Sequence, residues 1–251
     1  MRDKNGYYPI SSLGENVKFP SVTHIQGILD KPRLCGWRID TDIDYLFNNS
    51  IGPFLAGEMT LDQFREIDMP KLVADAKCYH KDVSGEAKDY GSRFHNALDN
   101  WHRDGLRPVY PDLIEPFNAV VEWEESVYLK TIESEGTVFS RTFQFAGTRD
   151  IKAEIRLDTK PLVGILDYKT RSGKNGKKPP VYPGDKQQVS AYCLADEEMN
   201  GGEPLDFGGV IIINREDNSV HPHLYMRPML VQAGMEFIEL ARYFNMTRRG
   251  K

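Results

Sequence analysis

The sequence predicts an α/β (α+β) fold in which a central mixed sheet of about five strands is flanked by helices and preceded by a helical N-terminal region. Three observations carry this expectation. From Ile151 to Leu157, apolar residues (Ile151, Ala153, Ile155, Leu157) alternate with Lys152, Glu154 and Arg156, the period of a half-buried strand. Leu162-Val163-Gly164-Ile165-Leu166 is apolar throughout, as suits a short strand buried on both faces. Helical spacing dominates the first half of the chain and returns at Asp185–Met199 and Met229–Thr247.

Residues 1–19 show little periodicity and are expected to form an extended or partly ordered arm. The remainder, 20–251, reads as one domain, mainly helical over 20–130 and sheet-containing over 131–251. Ser21 is a plausible N-cap for a short helix carrying Val22, Ile25, Ile28 and Leu29. Residues 33–80 read as helices interrupted at Gly52-Pro53 and Pro70. Asp82 to Gly105 is expected as one helix with a Tyr90, Phe94, Ala97, Trp101 stripe, His95 at its edge and Gly105 as its stop. Another helix is expected from Pro111 to Lys130.

The strands follow: Thr137–Phe143, Gly147–Leu157 and Leu162–Thr170, the last two joined by the turn residues Asp158-Thr159-Lys160-Pro161. Ser172 to Pro183, rich in Gly, Pro and Lys, reads as a mobile basic loop before the helix Asp185–Met199. Phe207–Asn214 and Val220–Met226 form an expected hairpin across the turn Glu216–Ser219. A closing helix, Met229–Thr247, carries an apolar stripe of Val231, Met235, Ile238, Ala241 and Phe244.

A net charge of -5 argues against a protein that coats nucleic acid by bulk charge, yet it leaves room for a local basic track beside an acidic site. The three cysteines, Cys35, Cys78 and Cys193, are far apart and fit neither a disulfide framework nor a four-thiolate metal site. The N-terminal residues have neither an apolar signal core nor transit-peptide composition, and no stretch is apolar enough to span a membrane. The expectation is a soluble, cytoplasmic protein with no membrane partner.

The chemistry concentrates where the apolar run ends. Asp167 and Lys169 share one strand face, with Tyr168 on the other and its backbone carbonyl between them. If the two strands pair as a hairpin, Asp150 comes beside Asp167. Two carboxylates and the Tyr168 carbonyl are hard oxygen donors suited to Mg2+ or Mn2+, and such a cation favours attack on a phosphodiester. Lys169 is then placed to orient water or to neutralise the transition state. Taken alone, the same residues also fit a salt bridge at a strand end.

Four motifs occur in order: Gly91-Ser92-Arg93-Phe94-His95, Gly147-Thr148-Arg149-Asp150, Asp167-Tyr168-Lys169-Thr170 and Gln188-Val189-Ser190-Ala191-Tyr192. Together they resemble the RecB-like exonuclease branch of the PD-(D/E)xK nuclease superfamily. The chain is most similar to the mitochondrial genome maintenance exonuclease family and its bacterial and phage relatives, over roughly 20–245, with Pro20-Ser21-Val22-Thr23, Glu135 and His221-Pro222-His223 also matching. The absence of a mitochondrial presequence favours a bacterial or phage protein.

The resemblance implies a restriction-endonuclease-like core and a metal-dependent deoxyribonuclease. It implies that His95, Asp150, Asp167 and the Tyr168 carbonyl hold the metal, and that Asp150, Asp167, Lys169 and His95 are catalytic. Glu135 matches a family acid, or holds a neighbouring basic side chain. Gln188 and Tyr192, one helical turn apart, could contact the DNA backbone and brace Lys169. Arg171, Lys174, Lys177 and Lys178 would meet phosphates; the Walker pattern is absent there. His221 and His223 share a strand face with no third ligand near them in sequence. The implied function is an exonuclease acting on single-stranded DNA or duplex ends in replication, recombination or repair, alongside partners in those processes. Alternatives are an endonuclease or flap nuclease with the same centre, and an inactive DNA-binding accessory.

Overall fold

The computed structural model describes residues 2–29, 32–157, 160–173 and 176–248. In chain order the elements are β1 (Tyr7–Pro9), β2 (Lys18–Pro20), α1 (Val22–Gln26), α2 (Pro32–Asn48), α3 (Ile51–Leu55), α4 (Leu61–Arg65), α5 (Met69–Asp104) and α6 (Pro111–Ser126). Then come β3 (Lys130–Ser140), β4 (Phe145–Leu157), β5 (Lys160–Arg171), α7 (Pro183–Met199), β6 (Phe207–Asn214), β7 (Val220–Met226) and α8 (Arg227–Arg248). The chain divides into two compact units, one comprising Met1–Ile28 with Arg93–Lys251 and the other Leu29–Ser92. That division differs from the arm and single domain read from the sequence.

The smaller unit is helical. Tyr45 and Tyr79 pack with their rings tilted and their centroids 4.3 Å apart, and Asp42 accepts the His80 backbone amide at 3.0 Å while contacting its ring. The expected break falls just before Pro70: α4 ends at Arg65 and α5 starts at Met69, so Pro70 sits in the first turn, where its missing N–H costs nothing. Nothing interrupts the following residues, and the helix runs 36 residues instead of starting at Asp82. Gly52 and Pro53 likewise lie inside α3 rather than between helices.

In the larger unit, the expected arm is an ordered hairpin. β1 and β2 pair antiparallel, and Tyr8, Ile10 and Phe19 form a small core with Ala146 of β4. Ser21 caps α1 as expected, accepting the His24 amide at 3.1 Å. The main sheet has five strands in the order β3-β4-β5-β6-β7, with β5 and β6 parallel and the other neighbours antiparallel. The parallel pair needs a crossover, which α7 supplies. Val189, Tyr192, Leu230 and Phe237 from α7 and α8 pack with Val138, Phe145, Ile165, Val210 and Ile212 of the sheet.

The structure departs from expectation at the α6–β3 junction and on the buried face of α8. α6 ends at Ser126 and β3 begins at Lys130, seven residues before the expected strand, because Tyr128 takes a left-handed conformation (φ 49°) that stops the helix. In α8 the buried stripe is Leu230, Ala233, Phe237, Ala241 and Phe244, whereas Val231 and Met235 are exposed. The reason is close packing: a Cβ on Gly234 would stand 2.7 Å from Leu194 Cδ1 of α7, so the helix turns its small residues inward. The expected turn residues Asp158 and Thr159 lie outside the described residues.

Candidate metal centre

The sheet forks at the point where the charges lie. The β4–β5 ladder ends with Ile151 opposite Leu166, yet β4 stays paired with β3 as far as Phe145, and β5 stays paired with β6 as far as Arg171. Asp150 and Asp167 are the next residues beyond the last pair, at the apex of the fork. Backbone groups there are freed from the ladder, and one is reused: the Tyr168 amide donates to Asp150 Oδ2 at 2.7 Å. His95 of α5 brings Nδ1 to 3.3 Å from the same oxygen.

Burial acts first on Asp150 and would raise its pKa, but His95, Lys169 and the Tyr168 amide together hold it below the usual carboxylate value. Asp167 is 2% exposed, and its Oδ2 lies 2.6 Å from Lys169 Nζ. That ion pair is close but off the hydrogen-bonding axis, so the buried oxygen has no directed donor. Burial pushes Asp167 up to about 6, with Lys169 opposing and Asp150 adding to the rise. Burial would lower Lys169, yet Asp167 and Asp150 overcome this and raise it, so the side chain stays an ammonium. His95 is raised the same way, burial being outweighed mainly by Asp150.

Glu135 completes the group. It lies between Ser134, opposite Ile151, and Gly136, opposite Arg149, and therefore faces Asp150 across the β3–β4 ladder. Its φ of 51° is left-handed, a strained conformation for glutamate that re-aims the side chain from a regular strand direction. A register shift between Thr131 and Glu133 immediately precedes it. Glu135 is exposed at the rim of the group; partial desolvation, then the neighbouring Asp150, raise its carboxyl to about 7. One ligand atom each from His95, Glu135 and Asp150 lies within 4.8 Å of the others, the one such group among the described residues. A cavity of about 10 Å³ among them has room for about one water-sized occupant. Three carboxylates, two with raised pKa, and an orphaned buried oxygen are a donor set that suits a hard divalent cation. The sequence had placed Glu135 as a matching acid and not among the metal residues; only the register and the φ value reveal its position.

Behind the fork, Tyr168 is anchored by its side chain. Its hydroxyl donates to Glu124 Oε1 at 2.5 Å, and His102 Nε2 lies 2.9 Å from the same oxygen. His102 and Tyr168 rings stack at 5.9 Å. Nothing in the sequence pointed to Glu124 or His102.

Gln188 and Tyr192 are both buried, and Gln188 Nε2 donates to the Tyr192 hydroxyl at 2.7 Å. Tyr192 lies against the fork arm of β4: a Cβ on Gly147 would stand 2.3 Å from Tyr192 Cε1. The pair braces the fork from within. Arg171 is committed to a bidentate pair with Asp185 at 2.6 and 2.7 Å, donates to the Pro180 carbonyl at 2.8 Å, and lies over the Tyr182 ring. The loop that follows is tied at its described ends, since Gly173 N donates to Asn214 Oδ1 at 3.0 Å. Lys177 and Lys178 are exposed, and Lys174 lies outside the described residues. His221 contacts Ser219 Oγ at 2.9 Å, and burial followed by the charges of His221, Lys178 and Arg171 lowers the His223 pKa despite Asp185.

No protein-family model matches the chain, and no curated protein does. Among solved structures the chain is similar to the protein SSO0001, at 15% identity and a TM-score of 0.28 over 50% of this chain and 57% of that one. It is also similar to an alkaline exonuclease (LHK-Exo) from Laribacter hongkongensis, at 12% identity and a TM-score of 0.26 over 63% of this chain and 85% of that one. The chain thus spans little over half the length of SSO0001.

Proposed function

We propose that this chain is a divalent-metal-dependent deoxyribonuclease of the PD-(D/E)xK kind, an exonuclease of the RecB-like branch that hydrolyses phosphodiesters at DNA ends, with the larger unit as its nuclease domain. The observation that carries the reading is the convergence of His95, Glu135, Asp150, Asp167 and Lys169 at the apex of the fork. A salt bridge at a strand end does not require three carboxylates, a histidine and a strained glutamate at one point.

His95, Glu135 and Asp150 would hold Mg2+ or Mn2+, with Asp167 and the Tyr168 carbonyl beside them. When bound, such a cation neutralises charge on the phosphate and acidifies a neighbouring water. Lys169 remains protonated, so it acts as a donor and fixed charge toward the phosphate and not as a base. Asp167 holds the ammonium beside it as an ion pair at 2.6 Å. The Tyr168 amide fixes Asp150, so that this carboxylate is preorganised before substrate arrives. Gln188 and Tyr192 keep the fork arm of β4 in place, and the exposed Lys177 and Lys178 are available to the DNA backbone. Replication, recombination or repair in a bacterial or phage-infected cell is the setting this chemistry suits; among the described residues no helix is long and apolar enough to cross a membrane.

The test is degradation of end-labelled single-stranded and duplex DNA with Mg2+ or Mn2+, comparing wild type with Asp167→Asn and Lys169→Ala. Loss of cleavage in both variants is expected. Undiminished cleavage would overturn the assignment, cutting of circular single strands would make it an endonuclease, and tight binding without cleavage would make it a binding accessory.

A further inference from the structure

A second, larger cleft lies along α5 from the fork. It measures about 490 Å³ and is lined by Trp101, Val121, Tyr128 and Leu129, with the buried pair His102 and Glu124 inside and the polar residues Glu125 and Thr131 completing its lining. Apolar and aromatic walls with a few convergent polar atoms are the ordinary make-up of a small-ligand site. Glu124 gives Oε1 to both Tyr168 and His102, which leaves Oε2 without a protein partner among the described residues. A carboxylate oxygen held in this way accepts hydrogen bonds and repels acceptors. Tyr128 is 72% exposed and held at φ 49°, a conformation that costs energy for tyrosine.

The cleft adjoins the metal centre at one shared residue. His102 lines both this cleft and the small cavity beside Glu135 and Asp150. His95 and His102 are two turns apart on α5, a separation of about 10 Å along the helix. We propose that the cleft is a nucleobase subsite. It takes the base of a nucleotide whose phosphate chain enters the fork, with Trp101 and Tyr128 as the aromatic walls and Glu124 Oε2 accepting from an exocyclic amino group. The assignment rests on the nuclease reading for its substrate class. Cytosine, adenine and guanine carry such an amino group, whereas thymine presents a carbonyl oxygen at the equivalent position of cytosine's. The subsite therefore prefers cytosine over the nearly isosteric thymine.

The experiment uses the full chain in excess EDTA, so that no cation is bound and no strand is cut, with fluorescein-labelled dC10 and dT10 followed by anisotropy. Wild type is expected to bind dC10 roughly tenfold more tightly than dT10. Tyr128→Gly is expected to weaken dC10 about tenfold through loss of stacking. Glycine adopts positive φ freely and the side chain removed is exposed, so that variant keeps its fold, checked by circular dichroism. Glu124→Gln is expected to remove the cytosine preference. Equal affinity of wild type for both oligonucleotides, or wild-type binding by Tyr128→Gly, overturns the subsite. Cleavage of both strands by metal-loaded protein, measured in parallel, separates the two readings: cleavage without base preference overturns the subsite alone, and absence of both binding and cleavage overturns both.

Discussion

The backbone amide of Tyr168 donates to Asp150 Oδ2 at 2.7 Å across the point where β4 and β5 part. A ladder that continued would have spent that amide on a strand carbonyl. Ending the ladder there converts a backbone donor into a support for a carboxylate, and opens the space into which His95 and Glu135 reach. Asp150→Asn keeps an acceptor for the amide but removes the charge. We expect a folded protein whose Mn2+-dependent cleavage falls by on the order of a hundredfold or more, read from end-labelled DNA.

Glu135 is the next group to test, because its position rests on register and a left-handed φ. Glu135→Gln keeps the shape and removes one anionic ligand. Mn2+ affinity by calorimetry is expected to fall roughly 10- to 100-fold. Unchanged affinity would mean that Glu135 does not hold the cation.

The pH dependence has a definite sign. Glu135 at about 7, Asp167 at about 6 and His95 are all raised above their ordinary values. Each therefore contributes stability that is fully present below its unfolded pKa and lost as pH rises through its folded pKa. In metal-free protein the Glu135 contribution to Tm is expected to decline between about pH 4.5 and 7, while added Mn2+ stabilises increasingly over that window because it binds the ionised carboxylates. His223 is lowered and has the opposite sign, so the readout is the difference between wild type and Glu135→Gln in calorimetric scans. Parallel curves for the two proteins would contradict it.

Gly147 has no room for a side chain, since its Cβ would meet Tyr192 Cε1 at 2.3 Å. Gly147→Ala is expected to cost about 1–3 kcal/mol in urea unfolding through this overlap. Tyr192→Phe removes the hydroxyl bonded to buried Gln188 and is expected to cost about 1–3 kcal/mol for the amide left unpaired.

Tyr168→Phe tests the anchor behind the fork. It takes a 2.5 Å donor from a buried carboxylate, and urea unfolding is expected to show a loss of about 1–3 kcal/mol. Stability equal to wild type would show that Glu124 relaxes onto His102 alone.

Much of this molecule was legible in the chain itself. The alternation over Ile151–Leu157 and the apolar run Leu162–Leu166 are strands β4 and β5, paired as expected, because period-2 patterning is a property of adjacent residues on one backbone. The Val220–Met226 hairpin partner, the Ser21 cap and the helix α7 follow from equally local signals. The order of His95, Asp150, Asp167 and Lys169 was readable too, and these four groups do converge.

What tertiary structure alone decided are relationships between segments distant in sequence. On α8 the expected stripe holds at Ala241 and Phe244, but packing on Leu194 of α7 turns Leu230, Ala233 and Phe237 inward in place of Val231 and Met235. Arg171 has the composition of a phosphate contact, but Asp185, fourteen residues later, occupies it. Glu135 joins His95 and Asp150 only because the β3–β4 register and one positive φ bring it there, and Glu124 meets Tyr168 from 44 residues away. The physical reason is range. Periodicity and capping are set by backbone geometry within a few residues, whereas a site is set by where ladders end and which faces pack, and these depend on the whole core at once.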